Sequence, residues 1–271
     1  MRFILGPCAI ESLEHALMMA EMLRYIQMQV RQETGVSIEV IYKSSYSKAN
    51  RTKKSSFHGV GLTEGLHILS QVKEMTGLKV TSDVHSVKEV IKAGHVLDVV
   101  QIPHQMCRNT ELLQAAGKTG KIVSVKKGTF MNPRDFEHVV AKIRESGNTE
   151  EIIAIERGNH FGYGNTVVDM RNFGILNQKE DEFDTGHYNT DPSVSMCIDA
   201  THPGCGPDGA KRLAKAGVAA GADMVFLEVH NRPSEAPCDG ACMINLKELK
   251  DLIVQIVKIH EVVHEAVVKR P

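Results

Sequence analysis

Short runs of apolar and β-branched residues recur along the chain at 2–8, 38–44, 79–85, 98–103, 121–127, 152–157, 195–201 and 224–230. Within them the apolar residues are nearly continuous: Phe3-Ile4-Leu5, Val40-Ile41, Val99-Val100, Ile152-Ile153 and Val225-Phe226-Leu227. Continuous rather than alternating hydrophobicity is what parallel strands covered on both faces require. The segments between them have helical length and spacing. The clearest is 246–268, where Leu249, Leu252, Ile253, Ile256, Val257 and Val263 share one face and Lys and Glu occupy the other. Eight strand–helix units in 271 residues predict an α/β fold in which a parallel sheet closes as a (β/α)8 TIM barrel. An open doubly wound sheet would show fewer repeats and a Gly-rich first turn, and no GxGxxG follows the first run.

Composition narrows this picture rather than changing it. No linker or composition shift divides the chain, so residues 1–271 are expected to form one domain, with a polar, aperiodic insertion at 177–192. Hydrophobic residues make up 42% and charged residues 24%, and the net charge is −1. Such balance provides no long-range field for nucleic acid or an anionic membrane, so anion binding must come from local clusters such as Lys43 to Lys54. The first residues hold too short an apolar run for a signal-peptide core, and no stretch approaches the roughly 20 apolar residues of a spanning helix. A cytoplasmic location is expected. Six cysteines without CxxC spacing argue against a disulfide framework and a zinc knuckle.

Barrel active sites lie at the carboxyl ends of the strands, and these ends are unusually polar. Lys43, Lys48, Arg51, Lys126 and Arg157 come from the second, fifth and sixth units and suit two anionic substrates. Cys8, His202, Glu228 and Asp239 come from the first strand, the seventh, the eighth and the loop after it. Barrel closure makes strands seven, eight and one neighbours, which gathers one thiol, one imidazole and two carboxylates. That mixture suits Zn²⁺, Fe²⁺ or Mn²⁺ rather than Ca²⁺. The alternative is that Cys8 is a small buried hydrophobe, His202 a turn residue and Glu228 the partner of a barrel lysine.

The run Lys43-Ser44-Ser45-Tyr46-Ser47-Lys48-Ala49-Asn50-Arg51 resembles the signature of the 3-deoxy-D-manno-octulosonate 8-phosphate synthases. Further matches follow in order: Gly6-Pro7-Cys8, Thr81-Ser82-Asp83-Val84-His85, Val125-Lys126-Lys127-Gly128, Glu156-Arg157-Gly158, Asp199-Ala200-Thr201-His202 and Glu228-Val229-His230. The related heptulosonate synthases carry a Lys-Pro-Arg-Thr type sequence in place of Lys-Ala-Asn-Arg, which makes them the second choice, with erythrose 4-phosphate or another phosphorylated aldose as acceptor. The resemblance implies condensation of phosphoenolpyruvate with arabinose 5-phosphate by a homotetramer. Cys at position 8 implies the metal-dependent branch, with Cys8, His202, Glu228 and Asp239 as ligands.

Carried over residue by residue, Lys126 and Arg157 hold the phosphate of phosphoenolpyruvate, and Lys43 and Lys48 engage its carboxylate and the incoming aldehyde. Asp83 and His85 line the floor and Gln101 the wall. Asn50, Arg51 and Thr52 bind the aldose, whose phosphate Arg108 of a neighbouring subunit reaches. This chain departs from the family at Thr52-Lys53, in the compressed Pro203-Gly204-Cys205-Gly206-Pro207 loop, and in the thiols Cys205, Cys238 and Cys242 added near the metal set, which either compete for the ion or simply pack. Two other readings are a Schiff-base aldolase at Lys126 and a metabolite sensor built on the same scaffold. Met18, Met19, Met22 and Met28 on the first helix read as core or subunit packing, and His260 and His264 as surface residues.

Overall fold

The computed structural model describes residues 1–49, 55–164, 166–177, 191 and 193–268. Eight parallel strands lie where the apolar runs predict them: β1 (Arg2–Gly6), β2 (Glu39–Lys43), β3 (Lys79–Asp83), β4 (Val99–Ile102), β5 (Ile122–Lys126), β6 (Ile152–Glu156), β7 (Val194–Asp199) and β8 (Met224–His230). Each pairs with the next, and β8 returns to β1 in the register Arg2↔Met224 through Gly6↔Glu228, which closes the barrel. Among the described residues eight α-helices surround it: α1 (Leu13–Thr34), α2 (Leu62–Thr76), α3 (Val87–Ala93), α4 (Thr110–Lys118), α5 (Phe136–Arg144), α6 (Asn172–Asn177), α7 (Pro207–Ala219) and α8 (Leu246–Val268).

Strand side chains alternate between two faces, and the two faces form separate cores. Phe3, Leu5, Val40, Tyr42, Val123 and Val225 pack outward against the helices. Ile4, Ile41, Val99, Ile153, Ile155, Cys197, Met224 and Phe226 fill the interior. Helix α1 shows the matching logic. Ser12 caps it by accepting from the His15 backbone N–H, and Ala16, Met19, Ala20, Leu23, Ile26 and Val30 bury one stripe. Met19 is therefore core, whereas Met22 and Met28 face outward. At the amino end of the barrel the Arg2 guanidinium donates to Glu151 and to Ser195 Oγ at 2.8 Å, tying β1 to β7 from below. Among the described residues, no helix is long and apolar enough to cross a membrane. Most of the 177–192 insertion lies outside the described residues.

Candidate active site

The interior parity continues past the apolar core to the strand ends. Two residues beyond Ile41, Val99, Ile155, Cys197 and Phe226 stand Lys43, Gln101, Arg157, Asp199 and Glu228, so the same pleat that fills the barrel delivers its polar cap. The opposite parity explains the neighbours. Fully buried Lys127 lies 3.6 Å from equally buried Glu156, whose carboxylate accepts from Asn172 Nδ2 at 2.9 Å; this pair binds strands to helices and does not line the cavity.

Above the cap is a cavity of about 570 Å³. Its lining includes Lys43, Lys48, Asp83, His85, His104, Lys126, Arg157, His202, Glu228 and Asp239. Four cations thus converge from β2, the loop after it, β5 and the end of β6. Lys43 Nζ donates to the Cys8 carbonyl at 3.1 Å and to Glu228 Oε1 at 3.4 Å. Lys48 Nζ donates to Ser45 Oγ at 3.0 Å, and Ser45 donates to Asp83 Oδ2 at 2.8 Å. Burial alone would raise the Asp83 carboxyl, but Lys43, Lys48 and Lys126 outweigh it and hold the group well below the usual carboxylate range. Glu228 is likewise lowered against its burial, chiefly by Lys43 and His202. His85 lies 3.1 Å from Glu89 Oε2 through Nδ1.

The ligand-type residues meet as two overlapping triads. The ligand atoms of His202, Glu228 and Asp239 lie within 4.8 Å of one another, as do those of Cys8, Cys238 and Asp239. Asp239 belongs to both. Cys8 is thus joined to the His202–Glu228 pair through Asp239, across the seam between the first and last strands. Glu228 Oε2 is buried without a hydrogen-bond partner among the described residues, an orphaned acceptor that a cation would satisfy. His202 Nδ1 lies 2.8 Å from Asp199 Oδ2, which leaves Nε2 for an ion, the arrangement that orients metal-binding imidazoles. The residue types, the shared Asp239 and the orphaned oxygen all fit a divalent transition metal.

Some expected residues sit elsewhere. Gln101 is fully buried beneath the cavity, where its amide donates to Asp83, so it supports the lining and does not form it. Arg108 lies on the outer rim, donating to Asp135 Oδ2 at 3.0 Å and covering the Phe130 ring, away from the cavity of its own chain. Asn50, Arg51 and Thr52 lie outside the described residues. His260 is half-buried on α8 and makes an interaction within the chain, so it is not a free surface residue.

The sequence assigns no role to Asp199 or His104, and to Cys238 only that of an added thiol near the metal set. Asp199 is fully buried and holds both His202 and Lys126, whose Nζ donates to it at 2.8 Å. His202 and Lys126 drive its carboxyl well below the usual range against the effect of burial. Asp199→Asn is expected to weaken divalent-ion affinity by about 10–100-fold by freeing the His202 ring, measurable by competition with a chromophoric chelator. Cys238 appeared in the sequence only as a nearby thiol, with no sign that its sulfur would meet Cys8. His104, in a short 3₁₀ turn after β4, is pushed down to about 3 by burial and then by Arg157 and Lys126. Because the unfolded chain binds this proton below about pH 6.5 and the folded one does not, stability falls as pH drops from about 6.5 toward 3. His104→Asn should flatten that fall, read as a smaller loss of Tm between pH 7 and pH 5; an unchanged loss would mean another group dominates.

A closed parallel barrel whose carboxyl-end mouth combines clustered cations with a ligand-type acid, imidazole and thiol set defines a class: barrel enzymes acting on anionic substrates. The chain belongs to the DAHP synthetase I family, whose profile matches residues 1–265. It is similar to the 2-dehydro-3-deoxyphosphooctonate aldolases of Koribacter versatilis (44% identical, covering 96% of this chain and 91% of the relative) and Trichlorobacter lovleyi (44%, 96% and 92%). The same-named protein of Rickettsia prowazekii is 40% identical over 97% of this chain and 93% of its own length.

Proposed function

We propose that this chain is a divalent-metal-dependent synthase that condenses phosphoenolpyruvate with arabinose 5-phosphate and water, giving 3-deoxy-D-manno-octulosonate 8-phosphate and phosphate. The observation that carries the reading is the coincidence, in one cavity, of four cations with the His202–Glu228–Asp239 triad, to which the Cys8–Cys238–Asp239 triad is joined at Asp239. The relatives' shared name, a dehydro-deoxy-phosphooctonate aldolase, favours an eight-carbon product and hence a five-carbon aldose over erythrose 4-phosphate. One barrel domain spanning 1–271 and assembly as a homotetramer belong to the same proposal, as does a cytoplasmic location. Arg108, with a side chain 55% exposed on the rim, would exchange its Asp135 contact for a neighbouring subunit's aldose phosphate.

Two substrate anions repel each other, and fixed cations offset that repulsion while setting the attack geometry. Lys126 and Arg157 hold the phosphate of phosphoenolpyruvate; Arg157 Nε, buried without a partner among the described residues, is a donor that such a contact would satisfy. Lys43 and Lys48 take its carboxylate and the aldehyde oxygen. Asp83 and His85 form the floor, and Asn50, Arg51 and Thr52 take the aldose. C3 of phosphoenolpyruvate forms a bond to the aldehyde carbon, water adds at C2, and phosphate departs by carbon–oxygen cleavage. A Zn²⁺, Fe²⁺ or Mn²⁺ ion held by Cys8, His202, Glu228 and Asp239 supplies Lewis-acid or template chemistry when bound.

Phosphate release from phosphoenolpyruvate, assayed against arabinose 5-phosphate, erythrose 4-phosphate and related aldoses, tests substrate and metal together. Activity is expected with the five-carbon aldose, falling at least about 100-fold after chelation and returning with added Mn²⁺ or Zn²⁺. Undiminished turnover in the chelated protein would refute the metal role. Borohydride should trap no adduct at Lys126; a trapped imine would establish the Schiff-base alternative.

A further inference from the structure

Cys238 is outside the ligand set proposed above, yet its sulfur sits at that set. The ligand atoms of Cys8, Cys238 and Asp239 lie within 4.8 Å of one another. The Cys8 thiol donates to Asp239 Oδ2 at 3.0 Å. Both are buried, Cys8 at 0% and Cys238 at 4% exposure. Consecutive residues of an extended chain point to opposite sides. Here Asp239 adopts φ 54° and ψ 13°, a left-handed conformation that Asp tolerates better than most residues. That turn breaks the alternation and lets the side chains of 238 and 239 converge on Cys8. A non-glycine residue held in this conformation beside a ligand cluster is a feature that function repeatedly explains.

We propose that Cys238 is a second thiolate ligand, so that one ion takes sulfur from both Cys8 and Cys238 alongside Asp239 and the His202–Glu228 pair. Donor atoms about 2.0–2.3 Å from one tetrahedral Zn²⁺ stand roughly 3.3–3.8 Å apart, so ligand atoms that lie within 4.8 Å of one another draw in by about 1–1.5 Å at most to share an ion. Each thiol gives its proton to solvent as it takes up the ion. Lys43 and Lys48, both within electrostatic reach of Cys8, offset the charge that two thiolates and two carboxylates bring together. A two-sulfur site is softer than the one-thiolate set and would favour Zn²⁺ over Mn²⁺. Among the described residues the same thiols also pack with Ala9 and Met243, so the competing account is that Cys238 is only a small core residue.

This inference rests on the metal site of the proposed function, and the test separates the two. The purified protein is loaded with Co²⁺, and the near-ultraviolet thiolate-to-cobalt charge-transfer band is measured for wild type, Cys8→Ser and Cys238→Ser. The expected result is that each substitution removes about half of the band. A full band in Cys238→Ser together with its loss in Cys8→Ser would overturn the inference and leave the one-thiolate site standing. No band in wild type would refute the metal site itself. X-ray absorption of the wild-type zinc protein avoids dependence on how the variants fold: two sulfur scatterers at about 2.3 Å support the inference and a single one overturns it.

Discussion

Replacing Lys126 by Met is expected to lower kcat/KM by about 10³-fold and to destabilise the fold by about 2 kcal/mol. The methionine keeps the length and packing of the stem, so both effects report the lost charge. Lys126 Nζ sits 3.7 Å from the centre of the Phe226 ring and 2.8 Å from Asp199, with its side chain only 7% exposed. A cation so desolvated and so constrained is ready to meet a phosphate without reorganising, which is where electrostatic catalysis is strongest. Removing it also leaves the fully buried Asp199 carboxylate with the His202 imidazole as its remaining side-chain partner among the described residues. Breaking a buried pair usually costs about 3–5 kcal/mol, and the retained imidazole contact reduces that here. The double variant Lys126→Met/Asp199→Asn separates the roles, because removing both charges should recover stability without recovering turnover. Steady-state kinetics and urea unfolding measure the two terms. Turnover of Lys126→Met within tenfold of wild type would reduce Lys126 to a structural partner of Asp199.

The second large effect is expected from a single methyl group at Gly6. A Cβ there would stand 2.1 Å from the Lys43 carbonyl oxygen and 2.9 Å from its carbon, far inside van der Waals contact and against backbone that belongs to the barrel wall. Gly6 also pairs with Glu228 across the β1–β8 seam, and Cys8 follows two residues later. Gly6→Ala must therefore pry β1 from β2 at the point where Cys8, Lys43 and Glu228 meet. A loss of about 3 kcal/mol and of at least about tenfold in divalent-ion affinity is expected, at the upper end of overpacking costs. Gly174→Ala is the control, since a Cβ there meets nothing within 4 Å and alanine is the better helix former. Urea midpoints and metal titration of both variants decide the matter. A Gly6→Ala protein with wild-type stability and metal affinity would show that the seam does not set the ligand geometry.

These effects depend on residues whose legibility in the sequence differed sharply. The eight strands could be read because each is buried on both faces, which forces a continuous apolar run whatever lies around it. Helix α8 could be bounded at 246–268 because an amphipathic stripe of that length is a local property. The polar strand ends were visible too, but adjacent pairs such as Lys126-Lys127 and Glu156-Arg157 look alike in sequence. Which member faces the cavity followed from pleat parity once Ile122 and Ile155 were known to point inward. Asp199 was only one of many polar strand-end residues, because its partner Lys126 is 73 positions away. Cys238 depended on a left-handed turn at Asp239, which is packed against a tight backbone approach where a Cβ on Gly240 would stand 2.1 Å from the Pro233 oxygen. No periodicity announces such a turn.

The sequence by itself determined the kind and order of the elements and the polar chemistry at their ends, because propensity, burial pattern and residue type act over a few neighbours. Only the tertiary structure decided which of those groups share a cavity, which support it from beneath and how far each carboxyl is displaced. Those properties come from short-range forces between residues distant in the chain, and ring closure of the sheet is what brings them within range.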